Sequence, residues 1–300
     1  MTAAEKLRGL LAQEELVVAP GAYDGLTARL VERVGFPAVY MTGAGTSARY
    51  GYPDYGLLSM TEMVENAATL AETVSVPVIA DADTGYGTEL NVVRTVRAFE
   101  RSGAAGIHIE DQVSPKRCGH LDGKAVISRQ EFVAKIRAAV FARRDPNFLL
   151  IARTDARAVA SFDEAVTRAN LALEAGADMI FLEATQSLDE VAAVPRLVNG
   201  PCLLNIVRGG KTPDVDLATV RQFGYRMAIL PSLLIGEVVD ACIRALTQLK
   251  ETNAPPSSAD SATLLERFRQ LGATEWDEIR TRFLDSESAA GTRAHTERGL

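Results

Sequence analysis

Eight short apolar runs, each followed by a longer stretch of helical periodicity, constrain the fold of this chain more than any other feature. Segments 90–101 and 162–174 are examples of the intervening amphipathic stretches. This alternation predicts a parallel sheet with crossover helices, and eight units are enough to close a barrel. The runs are 17–19, 38–41, 77–81, 106–110, 148–153, 179–183, 203–207 and 227–230. We therefore predict an α/β fold, a TIM-type (β/α)8 barrel.

Glycine and proline punctuate the approaches to these strands in a regular way. A glycine precedes each even-numbered run, and a proline precedes three of the odd-numbered ones. Glycine relieves left-handed strain past a helix end, and proline cannot continue a helix. The residues are Gly35, Gly103, Gly176 and Gly224, and Pro77, Pro146 and Pro201. This weak repeat favours a barrel built from β/α pairs.

The end of the chain differs from the barrel pattern. Segment 253–260 is rich in Pro and Ser, which is typical of a linker. Segments 264–271 and 276–283 are amphipathic but too short to be stable alone, so they must pack on the barrel or on another subunit. We predict a barrel domain at 1–250, a linker with C-terminal helices at 251–285, and a flexible tail at 286–300.

Composition excludes several classes of partner. The net charge is −7, and the basic footprint of a nucleic-acid-binding protein is missing. No apolar run approaches the roughly 20 residues that span a bilayer, and the N-terminus lacks the pattern of a signal peptide. Three cysteines without C-x-x-C spacing fit neither a disulfide framework nor a zinc site. We predict a cytoplasmic protein that binds neither nucleic acid nor membrane.

Polar residues at the predicted strand ends indicate an active site, because that face of a barrel carries the chemistry. Asp81 and Asp83 are two residues apart, so both carboxylates are expected to point to the same side of the strand. With Glu110 and Glu183 from the fourth and sixth strands they offer oxygen ligands that suit Mg²⁺ or Mn²⁺ better than zinc. Two alternatives stay open: ordinary solvated loops, or a buried ion network with Arg153 and Lys116.

The loop after the fourth strand reads Lys116-Arg117-Cys118-Gly119-His120. Positive charge beside a thiol lowers its pKa, so we predict that Cys118 is poised for acid or base chemistry. Cys202 and Cys242 stand at a strand start and on a helix, where cysteine usually acts as a small packing residue.

These residues resemble the isocitrate lyase and phosphoenolpyruvate mutase superfamily over roughly residues 5–250. The K-R-C-G-H loop is the most specific element of the resemblance. It marks the members that break a carbon–carbon bond, such as methylisocitrate lyase and 2,3-dimethylmalate lyase, and it also occurs in carboxyphosphonoenolpyruvate phosphonomutase. The segments that carry the resemblance are 41–45, 53–56, 80–87, 108–112, 116–120, 151–155 and 181–183.

The resemblance implies roles for individual residues. The Mg²⁺ ligands would be Asp81, Asp83 and Glu110, with Asp54 supporting them. The catalytic residues would be Cys118 as general acid together with Arg153, His120 and Lys116. The substrate-binding residues would be Tyr40, Thr42, Gly43 and Ala44 for the keto-acid half, Glu183 and Asn205 for the other half, and Asp54.

The resemblance also implies an activity. It would be a Mg²⁺-dependent lyase that cleaves a 2-hydroxy di- or tricarboxylate, of the 2-methylisocitrate or 2,3-dimethylmalate type, into a 2-oxo acid such as pyruvate and a second carboxylic acid. The loop at 206–213 resembles the dimethylmalate lyase and phosphonomutase branches. Family members are typically homotetramers that exchange their last helices between neighbouring barrels.

Two other activities and one non-enzymatic role stay open. A phosphonomutase is favoured by Gly209-Gly210-Lys211 after the seventh strand, where barrels often bind phosphate. An oxaloacetate hydrolase or decarboxylase would differ chiefly in whether water attacks. A non-catalytic barrel is disfavoured, because such a protein need not keep metal carboxylates and an acid together.

Overall fold

The computed structural model describes residues 1–256 and 263–296 and contains a closed barrel of eight parallel strands. Each strand pairs with the next, and β8 pairs with β1. The strands are β1 Val17–Ala22, β2 Val39–Met41, β3 Val78–Asp81, β4 Gly106–Glu110, β5 Leu149–Thr154, β6 Met179–Leu182, β7 Cys202–Asn205 and β8 Met227–Leu230. The predicted fold class is confirmed, and every predicted run overlaps a strand.

Helices follow the strands and surround the barrel. They are α1 Ala3–Leu11, α2 Gly25–Val34, α3 Gly43–Arg49, α4 Met60–Thr73, α5 Glu89–Arg101, α6 Arg129–Ala142, α7 Ala156–Val159, α8 Phe162–Glu174, α9 Leu188–Leu197, α10 Leu217–Phe223, α11 Leu233–Thr252, α12 Leu264–Gln270 and α13 Ala273–Thr296. Several begin with a capping box; in α4, for example, Ser59 and Glu62 satisfy each other's backbone N–H groups. The helix α1 before β1 and the short helices α3 and α7 in the strand–helix loops were not predicted.

The predicted glycine pattern is confirmed at the helix ends. All four glycines before the even-numbered strands have the left-handed backbone that other residues adopt at a cost. Their φ angles are 99° at Gly35, 87° at Gly103, 103° at Gly176 and 97° at Gly224. These positions let each helix turn back sharply into the next strand.

The core has an inner and an outer layer. The inner cluster joins strand residues such as Ile79, Leu203 and Met227, and Leu7 of α1 is fully buried in it. Two outer clusters pack the strands against the surrounding helices. Because apolar side chains from the strands fill the barrel interior, the polar residues of the barrel concentrate where the strands end.

The chain divides into two compact units, Met1–Asp240 and Ala241–Leu300. Within the predicted linker, residues 257–260 lie outside the described part of the chain, which resumes at 263. In the predicted tail, 286–296 continue α13 and 297–300 lie outside the described part, so its flexibility stays a prediction. Searching the described residues finds no helix that is both long and apolar enough to cross a bilayer.

Candidate active site

The two neighbouring aspartates are both buried where β3 ends, but only Asp81 lies on the strand. The strand ends at Asp81, and Asp83 lies beyond it with a φ of 46°. A turn therefore sets the direction of Asp83, and the strand-alternation argument is wrong for this pair. Asp81 Oδ1 accepts the Asp83 N–H at 2.9 Å, while Oδ2 accepts the Gly43 N–H at 3.2 Å. Left-handed backbone at a non-glycine residue is costly and often marks a functional site.

Tyr40 and His108 are buried polar side chains that lie next to Asp81. The Tyr40 hydroxyl lies 2.8 Å from His108 Nε2, and His108 Nε2 lies 3.4 Å from Asp81 Oδ1. Burial lowers the pKa of His108 to about 4, and burial raises the pKa of Tyr40 well above its usual range. At neutral pH the imidazole is therefore uncharged and the phenol keeps its proton.

Lys116 and Arg153 bind the carboxylates in a buried ion network. Lys116 Nζ lies 2.5 Å from Asp54 Oδ1 and 2.8 Å from Asp83 Oδ1. Arg153 Nε lies 3.1 Å from Glu110 Oε2. The ion network that we held open as an alternative is therefore present, and it occupies the same carboxylates as the expected metal site.

The three carboxyl groups expected to bind metal differ in ionisation. Burial raises the pKa of Asp83 to about 6 and that of Glu110 well above its usual range. Burial acts in the same direction on Asp81, but His108, Lys116 and Arg153 together lower its pKa to about 2. At Asp83 and Glu110 the effect of burial on the pKa outweighs that of the neighbouring cations, whereas at Asp81 the neighbouring cations outweigh burial.

The donor set fits a hard divalent ion in its chemistry. Glu110 is fully buried and its Oε1 accepts no hydrogen bond, while Glu110 Oε2 and Asp83 Oδ1 lie in ion pairs with Arg153 and Lys116. Oxygen donors of this kind are the ligands that Mg²⁺ prefers. Among the side chains that the structure describes, those of residues 1–256 and 263–284, no three His, Cys, Asp or Glu form a ready-made metal cluster. Here Lys116 and Arg153 are the charged partners of these carboxylates.

The loop that carries Cys118 departs from the electrostatic prediction. Lys116 turns toward Asp54 and Asp83, and the Arg117 guanidinium stacks over Tyr55 at 5.5 Å from the ring centroid. Burial raises the pKa of the half-buried Cys118 thiol. The expected lowering of its pKa is wrong, because the neighbouring cations are engaged elsewhere. The thiol is protonated at neutral pH and can act as an acid.

His120, Glu183 and Asn205 form a connected group from three different strands or loops. His120 Nε2 lies 2.9 Å from Glu183 Oε1, and Asn205 Nδ2 donates to Glu183 Oε2 at 3.1 Å. The backbone N–H of Lys211 donates to His120 Nδ1 at 3.0 Å, so the neutral ring carries its proton on Nε2. Burial opposes ionisation of Glu183, but Arg153 and His120 outweigh it and lower the pKa of Glu183.

A cavity of about 230 Å³ collects much of the predicted site. Gly43, Asp54, Asp83, Glu110 and Lys116 are absent from its wall. Its lining consists of Tyr40, Thr42, Ala44, Ala48, Asp81, Cys118, Gly119, His120, Arg153, Glu183, Asn205, Val207, Pro231, Ser232 and Ile235. The expected metal carboxylate Asp81 and the expected acid Cys118 therefore face one shared space.

Sequence reasoning missed several residues of the site. The apolar residues Ala48 and Ile235 of the cavity wall carry no polar signal that would have identified them. Asp155 follows β5 and binds Arg153 Nε at 3.0 Å, and its place in the I-A-R-T-D segment was a usable signal. Lys124 reaches Asp155 from a loop, and nothing in its spacing predicted that.

Comparison with known proteins gives consistent matches. Residues 7–250 match the family described as phosphoenolpyruvate phosphomutase. The chain is 45% identical to the 2,3-dimethylmalate lyase of Eubacterium barkeri, covering 92% of this chain and 96% of that one. It is also 45% identical to the 2-methylisocitrate lyase of Aeropyrum pernix, covering 88% and 85%.

Solved structures agree. Oxaloacetate acetylhydrolase in complex with 3,3-difluorooxalacetate aligns with a TM-score of 0.90 and 39% identity, covering 93% of this chain and 96% of that one. Phosphonopyruvate hydrolase in complex with oxalate and Mg²⁺ aligns with a TM-score of 0.85 and 31% identity, covering 95% and 100%.

Proposed function

The chain belongs to the isocitrate lyase and phosphoenolpyruvate mutase superfamily, and we propose that it is a Mg²⁺-dependent carbon–carbon lyase acting on a 2-hydroxy dicarboxylate. Mn²⁺ is the alternative ion. One observation carries the proposal: Tyr40 and Asp81, from β2 and β3, line the same cavity as Cys118 and Arg153. A single small substrate in that space would contact groups for binding and for proton donation.

The cavity wall favours an alkyl-substituted dicarboxylate. Tyr40 and Thr42 offer hydroxyl groups to the keto-acid half of the substrate, and His120 and Arg153 offer donors to the carboxylate of the other half. Val207, Pro231 and Ile235 add an apolar surface that suits methyl groups. We therefore propose a 2,3-dimethylmalate-type substrate, with 2-methylisocitrate as the second candidate.

The proposed reaction is a retro-aldol cleavage. The C2 hydroxyl gives its proton to solvent water, and C2 becomes the keto carbon of the released 2-oxo acid. The C2–C3 bond breaks, and its electron pair passes to C3 and the adjacent carboxylate as an enediolate. Arg153 keeps its charge and stabilises those oxygens. Cys118 then donates its proton to C3, which completes the second carboxylic acid.

The remaining site residues bind and orient. The protonated Tyr40 phenol donates a hydrogen bond to the substrate, and Lys116 fixes Asp83 against Asp54. Asp81, Asp83 and Glu110 would hold the divalent ion, which when bound would stabilise the negative charge that develops on the substrate. His120, with its tautomer set by the loop after β7, shares its Nε2–H between Glu183 Oε1 and a carboxylate oxygen of the substrate.

A second activity has one observation in its favour. The likeness to oxaloacetate acetylhydrolase supports hydrolysis of oxaloacetate as the second candidate. The phosphonomutase alternative has weaker support, because Lys211 Nζ pairs with Asp122 at 2.5 Å and an added Cβ at Gly210 would lie 2.5 Å from His120 Nδ1. That loop packs against the imidazole and its lysine is engaged.

A homotetramer that exchanges C-terminal helices is also proposed. No residue of α11 is buried, and Leu246 is 65% exposed. Trp276 and Phe283 on α13 are 68% and 67% exposed. So much exposed apolar surface favours a second copy of the chain as partner. Light scattering of the purified protein tests this: a monomer at micromolar concentration would refute it.

The three free thiols support a reducing, cytoplasmic location.

A substrate panel tests the activity. The purified chain with Mg²⁺ is given 2,3-dimethylmalate, 2-methylisocitrate, oxaloacetate or phosphonopyruvate, and pyruvate is followed by a coupled dehydrogenase. We expect equimolar pyruvate and propanoate from 2,3-dimethylmalate, and loss of turnover in EDTA. Oxalate and acetate from oxaloacetate, with no cleavage of the 2-hydroxy acids, would refute the lyase and support the hydrolase.

A further inference from the structure

Lys124 is a buried cation to which neither the sequence nor the proposed reaction gives a role. It lies in the loop after Cys118 and His120, yet its side chain is only 1% exposed. Its Nζ donates to Asp155 Oδ1 at 2.8 Å and also to the carbonyl oxygen of Gly119. A desolvated ammonium is stable only with such partners, so this placement is specific.

The first partner of Lys124 controls Arg153. Asp155 is fully buried, and its Oδ2 and Oδ1 accept from Arg153 Nε at 3.0 Å and Nη2 at 3.3 Å. The Asp155 backbone N–H is held in turn by Asp111 Oδ1 at 2.8 Å. Lys124 therefore contacts the carboxylate that sets the plane of the guanidinium.

The second partner of Lys124 is the peptide that joins Cys118 to His120. Gly119 lies so close to the site that an added Cβ would be 2.5 Å from Arg153 Nη2 and 2.6 Å from Glu183 Cγ. The bond to the Gly119 carbonyl therefore ties Lys124 to the part of the loop that packs against Arg153 and Glu183. Because no strand or helix contains this loop, side-chain hydrogen bonds help to set its position.

We propose that Lys124 is a positioning residue: one ammonium ties the loop of Cys118 and His120 to Asp155, and so sets the thiol, the imidazole and the Arg153 guanidinium relative to one another. Misplacing such groups by about 1 Å costs on the order of 10²-fold in rate. The inference deepens the proposed lyase function and rests on it for its consequence in turnover, but not for its geometry.

The test uses Lys124→Met and Lys124→Arg in a Cys242→Ser background, because Cys242 is the exposed thiol and Cys202 is buried. The rate of iodoacetamide alkylation of Cys118 is measured together with kcat and KM. For Lys124→Met we expect alkylation about tenfold faster and kcat about 10²-fold lower, with a smaller change in KM. Lys124→Arg should restore most of both.

Lys135→Met is the matched control. Lys135 is also a buried lysine bonded to a backbone carbonyl, that of Thr84 at 2.9 Å, but it does not contact the Cys118 loop. Its loss should lower the melting temperature and leave Cys118 alkylation unchanged. If Lys124→Met does not fold, Lys124→Gln takes its place.

Two results separate the claims. A folded Lys124→Met protein with wild-type alkylation and kcat would overturn the positioning role. If the wild-type protein turns over no 2-hydroxy acid, the lyase function fails, and the alkylation rates alone decide whether Lys124 holds the loop.

Discussion

Replacing Gly119 with alanine tests the packing at the centre of the site. The added Cβ would lie 2.5 Å from Arg153 Nη2, 2.6 Å from Glu183 Cγ and 2.8 Å from Glu183 Cδ. Favourable contacts need about 3.5 Å or more, so the overlap is about 1 Å. Gly119 is not among the residues with positive φ, so the cost comes from contact and not from backbone strain.

Neither neighbour can move away cheaply. Arg153 is held by Asp155 and Glu110, and Glu183 is held by His120 and Asn205. The loop must therefore lift, which displaces Cys118 by about the size of the overlap. A displacement of about 1 Å predicts a kcat about 10²-fold lower. Gly119 belongs to no strand or helix, so we expect the circular dichroism spectrum of the barrel to be unchanged.

Gly9→Ala is the control for this substitution. Gly9 lies within α1, and an added Cβ there meets nothing within 4 Å. Alanine should stabilise that helix by about 1 kcal/mol and leave kcat unchanged. The assay is initial rate of pyruvate release with 2,3-dimethylmalate and Mg²⁺. If Gly119→Ala kept kcat within about threefold of wild type, the reasoning from loop packing would be refuted.

Three further predictions concern the acid and the metal. Cys118→Ser should lower kcat by about 10²- to 10⁴-fold without changing the melting temperature, and near-normal turnover would remove Cys118 from the mechanism. Burial raises the pKa of Cys118, and the acid acts when protonated. We therefore expect kcat to stay constant through neutral pH and to fall only as pH rises past the ordinary thiol pKa of about 8.5. A kcat that increases with alkaline pH would show that the thiolate is the active form. Asp83→Ala should abolish the Mg²⁺-dependent activity, and a variant that stays equally active in EDTA would end the metal hypothesis.

Most of the barrel could be predicted because its signals are local. The apolar runs could be predicted from the burial of hydrophobic side chains alone. The four helix-end glycines could be predicted from the left-handed backbone that their positions require. The short helix α3 was missed because Thr42 caps it within a glycine-rich segment that resembles a loop. A four-residue helix such as α7 likewise carries too few residues for a period to be visible.

The sequence predicted which residues belong to the site better than it predicted the pKa values of those residues. Residue types and the family resemblance identified Asp81, Cys118 and Arg153, and the structure gathers them on one cavity. The pKa of Cys118 could not be predicted, because it depends on where the lysine and arginine before it turn. The part played by Lys124 depends on a loop folding back to Asp155, and no sequence period encodes such a contact.

A crystal structure of the protein with Mg²⁺ and pyruvate tests the central claim most directly, since the account requires metal carboxylates and acid to act on one substrate. We predict the ion beside Asp81, Asp83 and Glu110, the keto acid against Tyr40 and Thr42, and the Cys118 thiol facing the unfilled part of the cavity. An ion bound elsewhere, or a thiol turned away from the keto acid, would contradict the proposed lyase.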